Sequence, residues 1–241
     1  MDIPLSKSGC DAMFDLPGRI LSEHEARGFS YAGRRVIWKE PLMVRNRTMM
    51  KSLHHKTLCE DSTRCSIANA DYLLMFRRKG ENSIPVTHEN GMLNYAGENQ
   101  PPQELMKYRG YVGDQKKNAF SQYIWRNYPS SVWMDIRIDR VLKFREAKEG
   151  EDEKHVHPLQ LDVIERAVVM WSNPGERVLT PFMGVGSEVY GSVINGRKAI
   201  GIELKSAYFQ QAKLNLESTE NEITQPAMAP TLFDMDEDHE D

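Results

Sequence analysis

Thr180-Pro181-Phe182-Met183-Gly184-Val185-Gly186-Ser187 joins a predicted strand to a predicted helix, and its glycines let the backbone turn sharply against a ligand. Glu203 closes the next predicted strand. At the C-terminal edge of a doubly wound sheet, an acidic side chain in that place can accept hydrogen bonds from both ribose hydroxyls of an adenosine. The spacing therefore fits a nucleoside cofactor. Taken alone, a Gly-x-Gly turn is equally well a tight turn with no ligand, so its neighbours must decide.

Other residue types with chemistry to offer are less well placed. His54, His55, Cys59 and Cys65 lack the paired ligands of a Cys-x-x-Cys site, and no metal is expected. The three cysteines, Cys10, Cys59 and Cys65, are odd in number and without framework spacing, which suits a reducing compartment. Trp125, Trp133, Tyr123 and Tyr128 could stack on a base, but clustered aromatics more often fill a core. Positive charge concentrates between Arg34 and Arg64, with Arg34, Arg35, Lys39, Arg45, Arg47, Lys51, Lys56 and Arg64 set against Glu40, Glu60 and Asp61. Arg45, Arg47, Lys51 and Lys56 are candidate contacts to DNA phosphates; a solvated face is the equal alternative.

The elements that must position these residues follow from periodicity and breakers. The 241 residues, 40% of them hydrophobic, suit one domain with insertions, and the net charge of -4 announces no nucleic-acid binder. No stretch approaches a membrane span and Met1 to Cys10 has no leader pattern, so a soluble cytoplasmic protein is expected. A helix is predicted to end at Gly28, with buried strands over Tyr31 to Lys39 and Asp71 to Arg78. The connection 41–70 reads as a basic insertion with room for small helices, and 80–150 as an irregular insertion.

Then the pattern becomes regular: helix Leu159 to Trp171, an Asn173-Pro174-Gly175 break, strand Arg177 to Thr180, helix Tyr190 to Asn195, strand Ala199 to Glu203 and helix Ser206 to Leu216. Strand-helix-strand-helix implies parallel strands. Past Lys213 there is no Lys or Arg, and 217–241 is expected to be an acidic disordered tail.

His157-Pro158-Leu159-Gln160, Asn173-Pro174-Gly175, Pro181-Phe182-Met183-Gly184-Val185-Gly186-Ser187, Gly196-Arg197, Gly201-Ile202-Glu203 and Tyr208 occur in that order. Over 155–216 this closely resembles the amino-directed DNA methyltransferases that modify N6 of adenine or N4 of cytosine, in the permuted order where the cofactor motif is C-terminal. A weaker likeness runs upstream through Gly28 to Tyr31, Trp38-Lys39 and Asp71-Tyr72. The resemblance implies an α/β, Rossmann-like sheet over 1–216, incomplete at its N-terminus, with 155–216 as the cofactor-binding part. It also implies S-adenosylmethionine as cofactor and DNA as partner. His157, Gln160, Pro181, Phe182, Met183, Gly184, Gly186 and Ser187 would border the cofactor, and Glu203 would hold its ribose. Thr180 departs from the Asp found in many members.

That family's catalytic tetrapeptide, an Asp, Asn or Ser followed by Pro-Pro and an aromatic residue, has no match. Pro101-Pro102 stands between glutamines, Asp15-Leu16-Pro17-Gly18 has one proline, and Thr180-Pro181-Phe182 belongs to the glycine turn. The catalytic residues are therefore unassigned, and a truncated or split enzyme, completed by a second chain that carries the motif, is expected. Two other readings stay open: a non-catalytic module binding cofactor or DNA, and, less well, a nicotinamide-dependent oxidoreductase using the same turn.

Overall fold

The computed structural model describes residues 3–4, 13–147 and 158–224. The chain divides into two compact units, Met1–Ile136 and Arg137–Asp241, which are taken one at a time.

In the first unit, β1 (Ile3–Pro4) and β2 (Met13–Phe14) form a short antiparallel pair. Helix α1 (Leu16–Ala26) starts because the Asp15 carboxylate accepts the Gly18 N–H at 2.8 Å and Pro17 occupies its first turn. The single-proline sequence Asp15-Leu16-Pro17 is thus a helix cap. Strand β3 (Phe29–Ile37) pairs antiparallel with β4 (Asp71–Arg78), with a register step between Tyr31 and Gly33. Parallel to β3 on its other side lies β5 (Val132–Trp133), which makes the order β4-β3-β5.

The expectation that both long strands are buried needs correcting: most of β3 is exposed and β4 is half-buried. The apolar runs are real, but an antiparallel pair needs only one covered face. The 41–70 connection does hold small helices, α2 (Pro41–Thr48) and α3 (His55–Glu60), joined by short 3-10 turns. Asn118 caps α4 (Ala119–Asn127), whose Phe120 and Ile124 enter the core one helical turn apart, beside Tyr128, Trp133 and Ile37. Tyr128 ties this core together: its hydroxyl accepts the Ala96 N–H at 2.9 Å, and its carbonyl accepts from the Trp133 indole at 3.0 Å. Of the four aromatics weighed as base-stacking candidates, Trp133 and Tyr128 are core, while Trp125 is 57% exposed.

In the second unit, α5 (Leu161–Trp171) presents Leu161, Ile164 and Val168 to a core completed by Leu142, Ala147 and Val185. Strands β6 (Arg177–Thr180) and β7 (Lys198–Gly201) pair in parallel, as a strand-helix-strand unit requires, with α6 (Ser187–Ile194) as the crossover. Helices α5 and α6 approach so closely that a Cβ on Gly191 would stand 2.5 Å from Ile164 Cγ2.

Helix α7 (Ser206–Thr224) continues past Leu216, into the segment expected to be disordered. Glu217, Ser218, Thr219 and Glu220 contain no breaker, so nothing ends the helix there. Of the acidic tail, 225–241 lies outside the described residues.

Candidate cofactor site at the glycine turn

The end of β6 becomes a site through a chain of backbone bonds. Ile202 N–H donates to Thr180 O at 3.0 Å and Met183 N–H donates to Ile202 O at 2.9 Å, so the two strand ends stay paired after the sheet stops. The chain then turns through Gly184 at φ 55 and Gly186 at φ 94, and Gly186 N–H returns to Met183 O at 2.9 Å. At Gly186 a side chain is barred twice, by the left-handed backbone and by Ala212, whose Cβ would lie 3.1 Å from an added Cβ.

Glu203 lies two residues beyond β7, not within it as expected, and this frees its carboxylate to reach back to the turn. Oε2 accepts the Gly184 N–H at 2.8 Å and Oε1 accepts the Lys205 N–H at 2.8 Å. A carboxylate has about four lone-pair positions, so roughly two remain for a ligand. At the start of α6, Ser187 is 3% exposed and its Oγ has no hydrogen-bond partner among the described residues. A buried hydroxyl left unpaired costs about 1 to 3 kcal/mol, which a bound polar ligand would relieve. Burial also pushes the carboxyl of the next residue, Glu188, above its ordinary range.

The remaining predicted residues separate. Pro181 is exposed and Phe182 is 86% exposed, beside the turn. Met183 turns its side chain into the core with Val189 and Ala212, leaving only its backbone at the turn. Gln160 is the buried N-cap residue of α5 and makes no side-chain bond to the glycine turn. His157 lies outside the described residues.

Several supporting groups escape a reading of the sequence. Asn215 in α7 donates to Val185 O at 2.9 Å and to Lys143 O at 3.1 Å, which holds the outer limb of the turn. A polar residue between Leu214 and Leu216 is the available clue. At the opposite end of the strands, Arg197 is buried and donates to Ser172 Oγ, Ser172 O and Asn195 O, while Gly175 N–H meets Gly196 O at 2.8 Å. The Asn-Pro-Gly and Gly-Arg motifs therefore clamp one another away from the ligand end.

Asp162 is fully buried and accepts from Arg137 N, Nε and Nη2 and from Arg140 Nη1. Burial alone would push its carboxyl up, but the bonds from Arg137 and Arg140 outweigh this and hold it below the usual carboxylate range.

The basic candidates of the first unit are also sorted by the structure. Arg45 donates to His54 Nε2 at 3.2 Å and to Asn46 Oδ1 at 2.7 Å, and Lys56 stands 3.4 Å from Glu60. Arg47 and Lys51 are exposed, with no carboxylate at ion-pair distance among the described residues. Met49, between them, ends α2 with φ 54, the one non-glycine residue at positive φ among the described residues. That conformation costs an L-residue roughly 1 to 2 kcal/mol. A groove of about 240 Å³ opens on the same insertion, lined by Met50, Arg64, Cys65, Ile67 and Asn69, and is separate from the glycine turn. Cys59 Sγ is 3.7 Å from His55 Nδ1, yet no group of three or more metal-ligating side chains occurs among the described residues. No described helix is long and apolar enough to cross a membrane.

This geometry can be set beside known proteins. The profile of the DNA methylase family that acts on N6 and N4 amino groups matches residues 23–214. The chain belongs to that family. Among curated relatives, DNA adenine methyltransferase YhdJ of Escherichia coli (strain K12) is 31% identical over 106 residues, which is 43% of this chain and 33% of YhdJ. Type II methyltransferase M.BglII of Bacillus subtilis is 29% identical over 109 residues, 44% of this chain and 28% of that protein. The chain thus matches about a third of the length of either relative. TTHA0409 of Thermus thermophilus, described as a DNA modification methylase and solved with S-adenosyl-L-methionine, superposes with a TM-score of 0.53 at 20% identity. That superposition covers 90% of this chain and 65% of TTHA0409, and it gives this family member the Rossmann-like methyltransferase fold.

Proposed function

We propose that this chain is the cofactor-binding part of an S-adenosylmethionine-dependent methyltransferase acting on the exocyclic amino group of adenine or cytosine in DNA. One observation carries the reading: the Glu203 carboxylate is fixed beside the glycine turn by the Gly184 and Lys205 N–H groups, with the buried, unpartnered Ser187 Oγ at the turn's other end. Two lone pairs of Glu203 suit a pair of ribose hydroxyls, and the Ser187 hydroxyl suits a polar group of the methionine moiety. Pro181, Phe182, Gly184 and Gly186 would line the ligand between them, and Gln160 and His157 would border it from the segment before α5. When bound, S-adenosylmethionine supplies a sulfonium methyl that an amine can displace directly, with no covalent enzyme intermediate. Cys59 and Cys65 fit this, since neither stands in the Pro-Cys setting that attack on a cytosine carbon would need. Arg47 and Lys51 would contact DNA phosphates, with Arg45 and Lys56 as weaker contributors because each already has a partner.

The Pro-Pro-aromatic tetrapeptide is absent from the 241 residues, which supports a split arrangement in which a second polypeptide brings it. The bare face of the β6–β7 pair supports this too. Leu179 and Ile200 are paired in register there and are 64% and 53% exposed, whereas parallel strands are ordinarily covered on both faces.

The test is a thermal melt of the purified chain with S-adenosylmethionine, S-adenosylhomocysteine or NAD. At a hundredfold excess over Kd, binding adds about 2.7 kcal/mol and raises Tm by several degrees. A shift with either sulfur nucleoside and none with NAD is expected. A shift with NAD alone would replace this reading by the oxidoreductase one.

A further inference from the structure

Helix α2 buries a single side chain, Val44, and leaves Leu42 and Met43 63% and 50% exposed. Its last residue bears two further penalties. Met49 holds a left-handed backbone that glycine would adopt without strain, and its apolar side chain is 74% exposed, so packing does not offset the strain. The flanking charges are of one sign. Exposed Arg47 and Lys51 stand two residues to either side, and the nearby acids serve local ends: Glu40 caps α2 by accepting the Met43 N–H at 2.8 Å, Asp61 accepts the Thr63 N–H at 3.1 Å, and Glu60 faces Lys56. A strained, exposed apolar tip between two free cations matches a polyanion whose interior is apolar. Duplex DNA is that object, with phosphates outside and stacked bases within.

We propose that Met49 is a wedge that enters a base step of duplex DNA while Arg47 and Lys51 hold phosphates on either side of it. This rests on the DNA-modifying reading above, in which a base must leave the stack before its amine can react. Apolar side chains inserted between base steps offset the cost of unstacking by burying themselves. Methionine suits the task because its unbranched, polarisable thioether adapts to an irregular gap.

The experiment compares the full chain with Met49→Gly and with the double variant Arg47→Ala/Lys51→Ala. The probes are two short mixed-sequence duplexes, one intact and carrying a fluorescent adenine analogue that brightens when unstacked, the other with a single abasic site. The original chain should brighten the analogue and favour the abasic duplex by about tenfold, because the vacancy spares the unstacking cost. Met49→Gly should lose both effects while its Tm stays equal or rises, since glycine relieves the backbone strain; a merely structural Met49 would give a lower Tm and an unchanged preference. The double variant should weaken both duplexes alike and reduce the salt slope by roughly 2. If the double variant behaves so and Met49→Gly still brightens the analogue and favours the abasic duplex, the wedge is refuted and DNA binding stands. If the double variant leaves affinity and salt slope unchanged, the DNA reading falls at this surface and the wedge with it.

Discussion

Replacing Glu203 tests the site most directly, because its carboxylate is held by the protein with one pair of lone pairs and offered to the ligand with the other. In Glu203→Ala, the Gly184 and Lys205 N–H groups lose acceptors 2.8 Å away, but both lie at a half-buried edge where water can replace them. The expected loss of stability is therefore modest, about 1 to 2 kcal/mol, toward the low end for hydrogen bonds to a charged group. Binding should suffer more. Two ribose hydroxyls donating to a carboxylate contribute about 1.5 kcal/mol each, so S-adenosylmethionine should bind roughly a hundredfold more weakly. Glu203→Gln separates the two roles. Its amide keeps one acceptor but turns a donor toward one of the two backbone N–H groups, so stability should fall by about 1 to 3 kcal/mol while one ribose bond survives and affinity falls only about tenfold. Isothermal titration with S-adenosylmethionine and S-adenosylhomocysteine reads the affinities, and hydrogen exchange at the Gly184 amide reads the turn. A Glu203→Ala chain that binds within about threefold of the original would refute the ribose role, whatever its stability.

Two further substitutions probe the support beneath the site. Gly201→Ala would place a Cβ 2.3 Å from Met183 Sδ and 2.8 Å from Met183 Cγ, so a loss of about 1 to 3 kcal/mol by chemical denaturation is expected. Adding Met183→Ala should recover part of that loss, and a double variant no better than Gly201→Ala would show that the clash is not the cause. Asp162→Asn leaves Arg137 and Arg140, about a third exposed, without their counter-ion, and should cost about 3 kcal/mol at neutral pH, the low end for a broken buried pair. Because the folded Asp162 carboxyl sits below its unfolded value of about 3.9, its stabilisation is present above that pH and lost as pH falls through the folded value. The gap between the two proteins should therefore close in acid, and a gap that persists there would mean that the loss comes from packing and not from charge.

What is legible ahead of the structure, and what is not, divides along chain separation. Strand β6 is readable at Arg177–Thr180 because breakers bracket it, Asn173-Pro174-Gly175 on one side and the glycine turn on the other. Periodicity puts the start of helix α6 at Tyr190, but it starts at Ser187, since left-handed Gly186 serves as its N-cap. That difference matters, because it moves Ser187 from a loop into the first turn of a buried helix and makes its hydroxyl an orphan. Likewise the strand expected over Ala199 to Glu203 is Lys198–Gly201, and only a Glu203 outside the strand can bend back to Gly184. Such end-shifts are local, and local turn chemistry explains them.

The Asp162 cluster is a different case. An Asp in the first turn of a helix is ordinarily read as a favourable dipole contact, and α5 has that arrangement. Its actual partners, Arg137 and Arg140, lie 25 and 22 residues earlier, in a stretch expected to be irregular insertion. No periodicity connects them, since the contact exists only once the chain has folded back. The same holds for Asn215, whose acceptors lie 30 and 72 residues away. Motif spacing therefore located the groups that would touch the ligand, because a tight turn gathers them from neighbouring positions. The groups that hold the turn rigid come from distant positions, and rigidity is what a preorganised Glu203 requires: were Val185 not held by Asn215, the turn that orients Gly184 toward that carboxylate would be free to open, and the binding energy would be spent on closing it.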